Sequence, residues 1–155
     1  MLPKYHVLSG FIFSLIIFLI FPEINLIGFT IIFLSSFLID VDHYLFYVFT
    51  KKDLSLKKAH KFFLKEHKKF HKLSYKEKTK KLKKRGPWPM VFHGVETLIL
   101  LGILSFFHQI FLYIIIGLIF HQVLDFIHII YGGYSLTHLG SQTYNTIKYI
   151  KNQKK

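Results

Sequence analysis

Four apolar stretches run along this chain, separated by short polar breaks and, in the middle, by one lysine-rich block. The first covers residues 5–21 and stops at Pro22-Glu23. The second covers residues 24–49 and is interrupted by Asp40-Val41-Asp42-His43. The third and fourth cover residues 90–107 and 110–131, and Gly132-Gly133 closes the last. A helix crossing a bilayer needs about 20 apolar residues, with a range of about 17–25. The third and fourth stretches meet that directly; the first two meet it if their polar ends sit in the interface or face the bundle interior. The pattern predicts an all-α, polytopic membrane helix bundle, a single domain over residues 1–155 with about four transmembrane helices. The first stretch reads as a helix of that bundle and not as a signal peptide, because no small-residue cleavage site follows it.

Ionisable residues within these stretches collect at one end. His6 opens the first, and Asp40, Asp42 and His43 close the second. His93 and Glu96 open the third, and His121, Asp125 and His128 occupy the second half of the fourth. Helices that alternate direction bring all of these groups to one membrane depth. At about 1.5 Å of rise per residue, Asp40 lies about 24 Å into a core of about 30 Å. His121, Asp125 and His128 are spaced i, i+4, i+7, one helical stripe. Asp40 and His43, like His93 and Glu96, are i, i+3 pairs that share a face. Asp42 points elsewhere on an ideal helix, so it is either a partner to a ligand or a sign that the helix unwinds there. His108, at the opposite end, reads as an interface residue.

Charge supplies the orientation. The chain is 52% hydrophobic yet carries a formal charge of +13, and the two properties are separated along the sequence. Residues 51–87 hold 15 lysines and Arg85, which is 16 of the 21 basic residues, against only Asp53, Glu66 and Glu77. The positive-inside rule places this block and both termini in the cytoplasm, which requires an even number of spans in a multi-pass protein of the cytoplasmic membrane. Within the block, Leu54, Leu56, Phe62, Phe63, Phe70, Leu73 and Leu82 recur at rough helical spacing. This is either a basic amphipathic helix on anionic lipid headgroups or a topogenic loop with no partner. No nucleic-acid partner is expected, since the block is tethered at both ends and has a single arginine. His60, His67 and His71 read as solvated. The polar tail, residues 134–155, is expected to lie at the interface through Tyr144, Ile147, Tyr149 and Ile150.

An ionised aspartate at a helix centre costs about 3 kcal/mol on the insertion scale, and each flanking Leu, Ile or Phe returns only about 0.3–0.6. Several on one face need partners. Mutual hydrogen bonding is one solution; a metal ion is the other and the favoured one. The chain has no cysteine, so its ligands are nitrogen and oxygen. The candidate ligands are His6, Asp40, His43, His93, His121, Asp125 and, at the stripe's end, His128. They suit a divalent metal, Zn first, with Mn or Fe as alternatives. The set exceeds the four ligands of a single zinc, so one or two ions are expected. Asp42 and Glu96 are the candidate general bases.

These motifs resemble the YdjM-type inner-membrane metal-dependent hydrolases. The matching residues are His6 in His-Val-Leu-Ser-Gly, Asp40-Val41-Asp42-His43, His93, and His121-Gln122-Val123-Leu124-Asp125. Their order and rough spacing hold across the apolar part of the chain; the lysine-rich block lies outside the resemblance. Ile39 stands where the family has Pro, and Phe92-His93-Gly94-Val95-Glu96 replaces the family's His-Arg-Gly-x-Thr-His-Ser, leaving Glu96 for the role of the second histidine. A more remote similarity to zinc-dependent phospholipases C implies a phosphoester substrate.

The expected function is thus hydrolysis of a phosphoester, lipid substrates included, by metal-activated water at the cytoplasmic face. Two rivals stand beside it: a non-catalytic membrane protein locked by metal or ion pairs, and an ion or proton transporter. The transporter predicts ionisable groups through the full membrane thickness, whereas the other ends of the stretches are almost purely Leu, Ile and Phe.

Overall fold

The computed structural model describes residues 3–74, 76–78, 80, 92–132 and 140–153, and no strand occurs among them. Residues 81–91 lie outside the described set. They include Leu82, Arg85 and Pro87 of the basic block and Met90, the expected start of the third stretch; Gly133 and Tyr134 also lie outside it. Helix α1 covers Pro3–Ile20, α2 Leu26–Leu38, α3 Val41–Lys51, α4 Leu56–His71, α5 Val95–Ser105, α6 Gln109–Gly132 and α7 Gln142–Gln153.

Local chemistry sets several of these ends. Pro22 follows the last turn of α1, where a ring without an N–H cannot continue the helix. Asn25 then caps α2, its side chain accepting from Gly28 N at 2.9 Å. Ser55 caps α4 through Lys58 N, and α3 stops at Lys52, which adopts a left-handed conformation with φ 52°. The second apolar stretch is two helices, because the chain tightens into a turn at Ile39-Asp40. There Asp40 N donates to Phe37 O at 3.2 Å and Asp42 N to Ile39 O at 3.2 Å, both i−3 bonds.

Helix α2 lies between α1 and α6, and α5 packs on α6. Each contact face is a stripe at four-residue spacing: His6, Gly10 and Ser14 on α1, Gly28, Ile32 and Ser36 on α2, and Tyr113, Gly117 and His121 on α6, all buried. The glycines permit close backbone approach. A Cβ on Gly10 would collide with Ser36 Oγ, and one on Gly117 with Ser35 Oγ and the Ile32 carbonyl. The serine hydroxyls are satisfied within their own helices, Ser14 by Gly10 O at 2.8 Å and Ser36 by Phe33 O at 2.7 Å. Near the far end, Ile24, Ile32 and Tyr113 form the apolar core with Phe13, Ile17 and Phe18 around them.

Among the described residues two helical runs, where four were expected, are long and apolar enough to cross a membrane: Leu26–Lys51, taken through α2 and α3, and Gln109–Tyr131. Tyr5–Ile20 and Val95–Ser105 are shorter apolar helices. The third stretch shortens because residues 92–94 form a turn and α5 begins only at Val95. Only 28% and 22% of the apolar windows in the two long runs is buried.

Helix α4 is amphipathic, as its sequence predicts, but its apolar side faces protein. Ala59 is buried and Phe62 packs on Tyr47 with ring centroids 5.6 Å apart. A clasp at the α3–α4 connection holds this arrangement. Asp53 accepts from Lys58 Nζ at 2.9 Å, from Ser55 N at 2.9 Å and from Tyr47 OH at 3.3 Å. The Lys58 ammonium, followed by the Ser55 amide, holds the Asp53 carboxyl below its ordinary range.

Candidate metal centre

The stripes end in the ionisable residues, so the packing that joins α1, α2 and α6 also brings those residues together. His6 stands in the first turns of α1, Asp40 at the α2–α3 turn, His43 in the first turn of α3, and His93 in the turn before α5. His121 and Asp125 extend the α6 stripe. The donors form three overlapping triads: His6, Asp40 and His121; Asp40, His43 and His93; His93, His121 and Asp125. In each triad one ligand atom per residue lies within 4.8 Å of the others. Six of the seven expected ligands therefore meet at one end of the bundle.

Most of the separations are ones that ligands of a shared ion could have. His121 Nε2 lies 3.3 Å from Asp125 Oδ2 and 3.6 Å from Asp40 Oδ1. His6 Nε2 lies 3.4 Å from Asp125 Oδ1, His43 Nε2 3.6 Å from Asp40 Oδ1, and His93 Nε2 3.8 Å from Asp125 Oδ2. Good N–H···O hydrogen bonds span about 2.7–3.2 Å, so these contacts are long ones, His121–Asp125 at 3.3 Å matching the His93 Nδ1–Asp42 contact. Two ligand atoms each about 2.0–2.2 Å from one ion, at a tetrahedral angle, lie about 3.3–3.6 Å apart. His93 Nε2 and His121 Nε2 are buried without a hydrogen bond, in residues that are 5% and 0% exposed. Such orphaned atoms are costly unless something occupies the space between them.

The ring orientations are set from behind. His121 Nδ1 lies 2.8 Å from Ser36 O. A carbonyl only accepts, so Nδ1 carries the proton, and in the neutral ring Nε2 then presents its lone pair to the cluster. The helix break makes that carbonyl available. In a continuous helix Ser36 O would take the amide of Asp40, but that amide bonds Phe37 O instead. His93 is held similarly. Asp42 Oδ2 accepts from Phe92 N at 2.7 Å and lies 3.3 Å from His93 Nδ1, which turns His93 Nε2 inward. The helix thus breaks close to Asp42, and Asp42 contacts a candidate ligand, His93. Hydrogen bonding behind a ligating histidine fixes its tautomer and raises its basicity. His6 stacks on His121 with ring centroids 4.4 Å apart.

Two expected site residues go elsewhere. His128 stacks on His67 of α4, ring centroids 5.8 Å apart and planes 12° from parallel, and belongs to none of the triads. His67 is accordingly half-buried and not solvated. Glu96 reaches the start of α7, accepting from Ser141 Oγ at 2.5 Å, Gln142 N at 3.1 Å and Thr143 N at 3.1 Å. It ties the C-terminal helix to α5 as a carboxylate at a helix N-terminus. Both carboxylates expected as bases are therefore engaged in hydrogen bonds, Asp42 beside the cluster and Glu96 away from it. His108 accepts from Ile110 N at 3.1 Å through Nδ1, a contact at the start of α6.

Sequence reasoning did not find Ser36, whose contribution is a backbone carbonyl. Its one signal was position, four residues before Asp40. Nor did it find Phe63, whose ring meets the partly exposed His43 edge-on at 5.4 Å and brings α4 to the rim of the cluster. Comparison with protein-family models, with curated proteins and with solved structures found no match.

Proposed function

We propose that this chain is an integral membrane metal-dependent hydrolase with its centre at the cytoplasmic face. The observation that carries the proposal is the pair of buried, unbonded Nε2 atoms of His93 and His121, both turned towards carboxylates by hydrogen bonds behind them. The motif resemblance to the YdjM-type hydrolases supports the same reading. A divalent ion bound there would lower the pKa of water towards 7 and polarise a phosphoryl oxygen. His6, Asp40, His43, His93, His121 and Asp125 would hold it, and Asp42 would act through His93 as a positioning residue. Zn suits the donor set, with Mn and Fe as alternatives.

The membrane setting rests on exposure. A soluble protein buries its most apolar helices, whereas here Leu19, Ile20, Ile99, Leu100, Phe106 and Phe107 are all more than half exposed. In this reading α1 and α5 complete four spans as shortened helices, and the lysine excess keeps the cluster end and both termini cytoplasmic. Lys61, Lys65, Lys68, Lys69 and Lys72 share a groove with Leu64 on α4. At headgroup level, each would add about 1 kcal/mol of attraction to an anionic lipid surface. A phosphoester carried by such a lipid fits both features.

The test is hydrolysis of a simple phosphodiester by the full chain in nanodiscs. Turnover that is lost with chelator, restored by metal and absent in Asp125→Ala supports the proposal. Metal-replete protein inert towards every phosphoester tried would favour the non-catalytic rival. Orientation is tested with Lys69→Cys, the sole thiol in the chain; labelling by an impermeant reagent in intact cells would invert the topology.

A further inference from the structure

The centre's donors divide into two histidine pairs, and each carboxylate spans both. The first pair is His6 and His121, stacked at 4.4 Å, and the second is His43 and His93, with ring centroids 5.7 Å apart. Asp40 Oδ1 stands 3.6 Å from one member of each, His121 Nε2 and His43 Nε2. Asp125 divides its oxygens: Oδ1 faces His6 at 3.4 Å, while Oδ2 lies 3.3 Å from His121 and 3.8 Å from His93. The two pairs meet where the His93 and His121 rings cross edge-on at 5.3 Å.

From this arrangement we propose that the centre holds two divalent ions, one on His6 and His121 and one on His43 and His93, with Asp40 and Asp125 shared between them. The inference rests on the metal-dependent reading above and specifies its nuclearity. A single tetrahedral ion takes four ligands and would leave at least one pair incompletely coordinated. Its unused members would keep only long contacts to a carboxylate, 3.4 Å for His6 and 3.6 Å for His43. Two ions give each histidine a metal and each ion two imidazoles and a share of two carboxylates.

Charge leads to the same number. Asp40, Asp125 and the adjacent Asp42 together carry three negative charges when ionised. One divalent ion leaves the site net negative, which repels a phosphoester; two leave it slightly positive, which attracts one. Protein-bound ion pairs of this kind typically lie about 3.5–4 Å apart and clamp both the attacking and leaving oxygens of a displacement.

The experiment is to purify the full chain without chelator, reload it with MnCl2 alone, and measure bound manganese together with the electron paramagnetic resonance spectrum. Expected are about two ions per chain and the exchange-coupled signal of a close pair. His43→Ala should retain about one ion, with an uncoupled spectrum. A wild type saturating at one ion, or at two with only uncoupled signals, overturns the inference and leaves the metal-dependent reading standing. Two coupled ions without phosphoester turnover support the inference and reject the hydrolase. Absence of bound manganese and of any co-purified divalent metal rejects both. The wild-type result decides the matter even if His43→Ala does not fold.

Discussion

His121 donates from Nδ1 to the Ser36 carbonyl at 2.8 Å, and that carbonyl is free because α2 breaks at Asp40. One local event therefore orients a candidate ligand on α6 and delivers another at the turn. The bond forms only because α2 and α6 approach closely at Gly117. Gly117→Val would drive its Cβ into Ser35 and the Ile32 backbone. Overpacking of this kind costs about 1–3 kcal/mol. The expected outcome is a lowered melting temperature together with reduced metal content. A variant of unchanged metal content would show that this approach does not position the site.

Asp42 touches the cluster only through His93. Asp42→Asn keeps the shape and removes the charge. Loss of a partner behind a ligating histidine typically weakens metal affinity about 10–100-fold. Chelator-competition titration should show that loss with the fold intact by circular dichroism; unchanged affinity would remove Asp42 from the site.

Glu96 gives the opposite result. Its carboxylate serves α7 and not the cluster, so Glu96→Gln should leave metal content unchanged. Weakening a helix N-terminal contact costs about 0.5–2 kcal/mol. Hydrogen exchange at the Gln142 and Thr143 amides should accelerate accordingly. Loss of metal in this variant would restore Glu96 to the centre.

Much of this was legible in the chain. The i, i+4 spacing of His121 and Asp125 and the i, i+3 spacing of Asp40 and His43 identify faces wherever a helix is regular, and those residues do meet. Alternation of helix direction was enough to predict that His6 and His93 would join them. The pattern is weakest where regularity fails. Asp42 lies beyond a turn that changes its direction, and His128 keeps the stripe's angle but sits two turns further along, where α4 supplies His67. Glu96 shares a face with His93 only if both are helical, and His93 precedes α5. The apolar side of α4 suggested lipid because periodicity does not say which surface a helix covers. Here it covers α3.

The Asp53–Lys58 clasp makes α4's docking sensitive to acid. Lys58 holds the Asp53 carboxyl below its ordinary value, so the clasp's contribution is present at neutral pH and is lost as pH falls through that lowered value. Asp53→Asn should speed exchange of the α4 amides at neutral pH, and the difference from wild type should close only once pH falls below the ordinary aspartate range. Equal protection at neutral pH would mean that packing of Phe62 and Phe63 alone holds α4.

The central claim is that these histidines and aspartates form a metal centre, and elemental analysis addresses it directly. Wild-type protein purified without chelator should carry stoichiometric divalent metal, and Asp125→Ala, folded by circular dichroism, should carry much less. Folded wild-type protein that contains no metal and takes up none from solution would contradict the account.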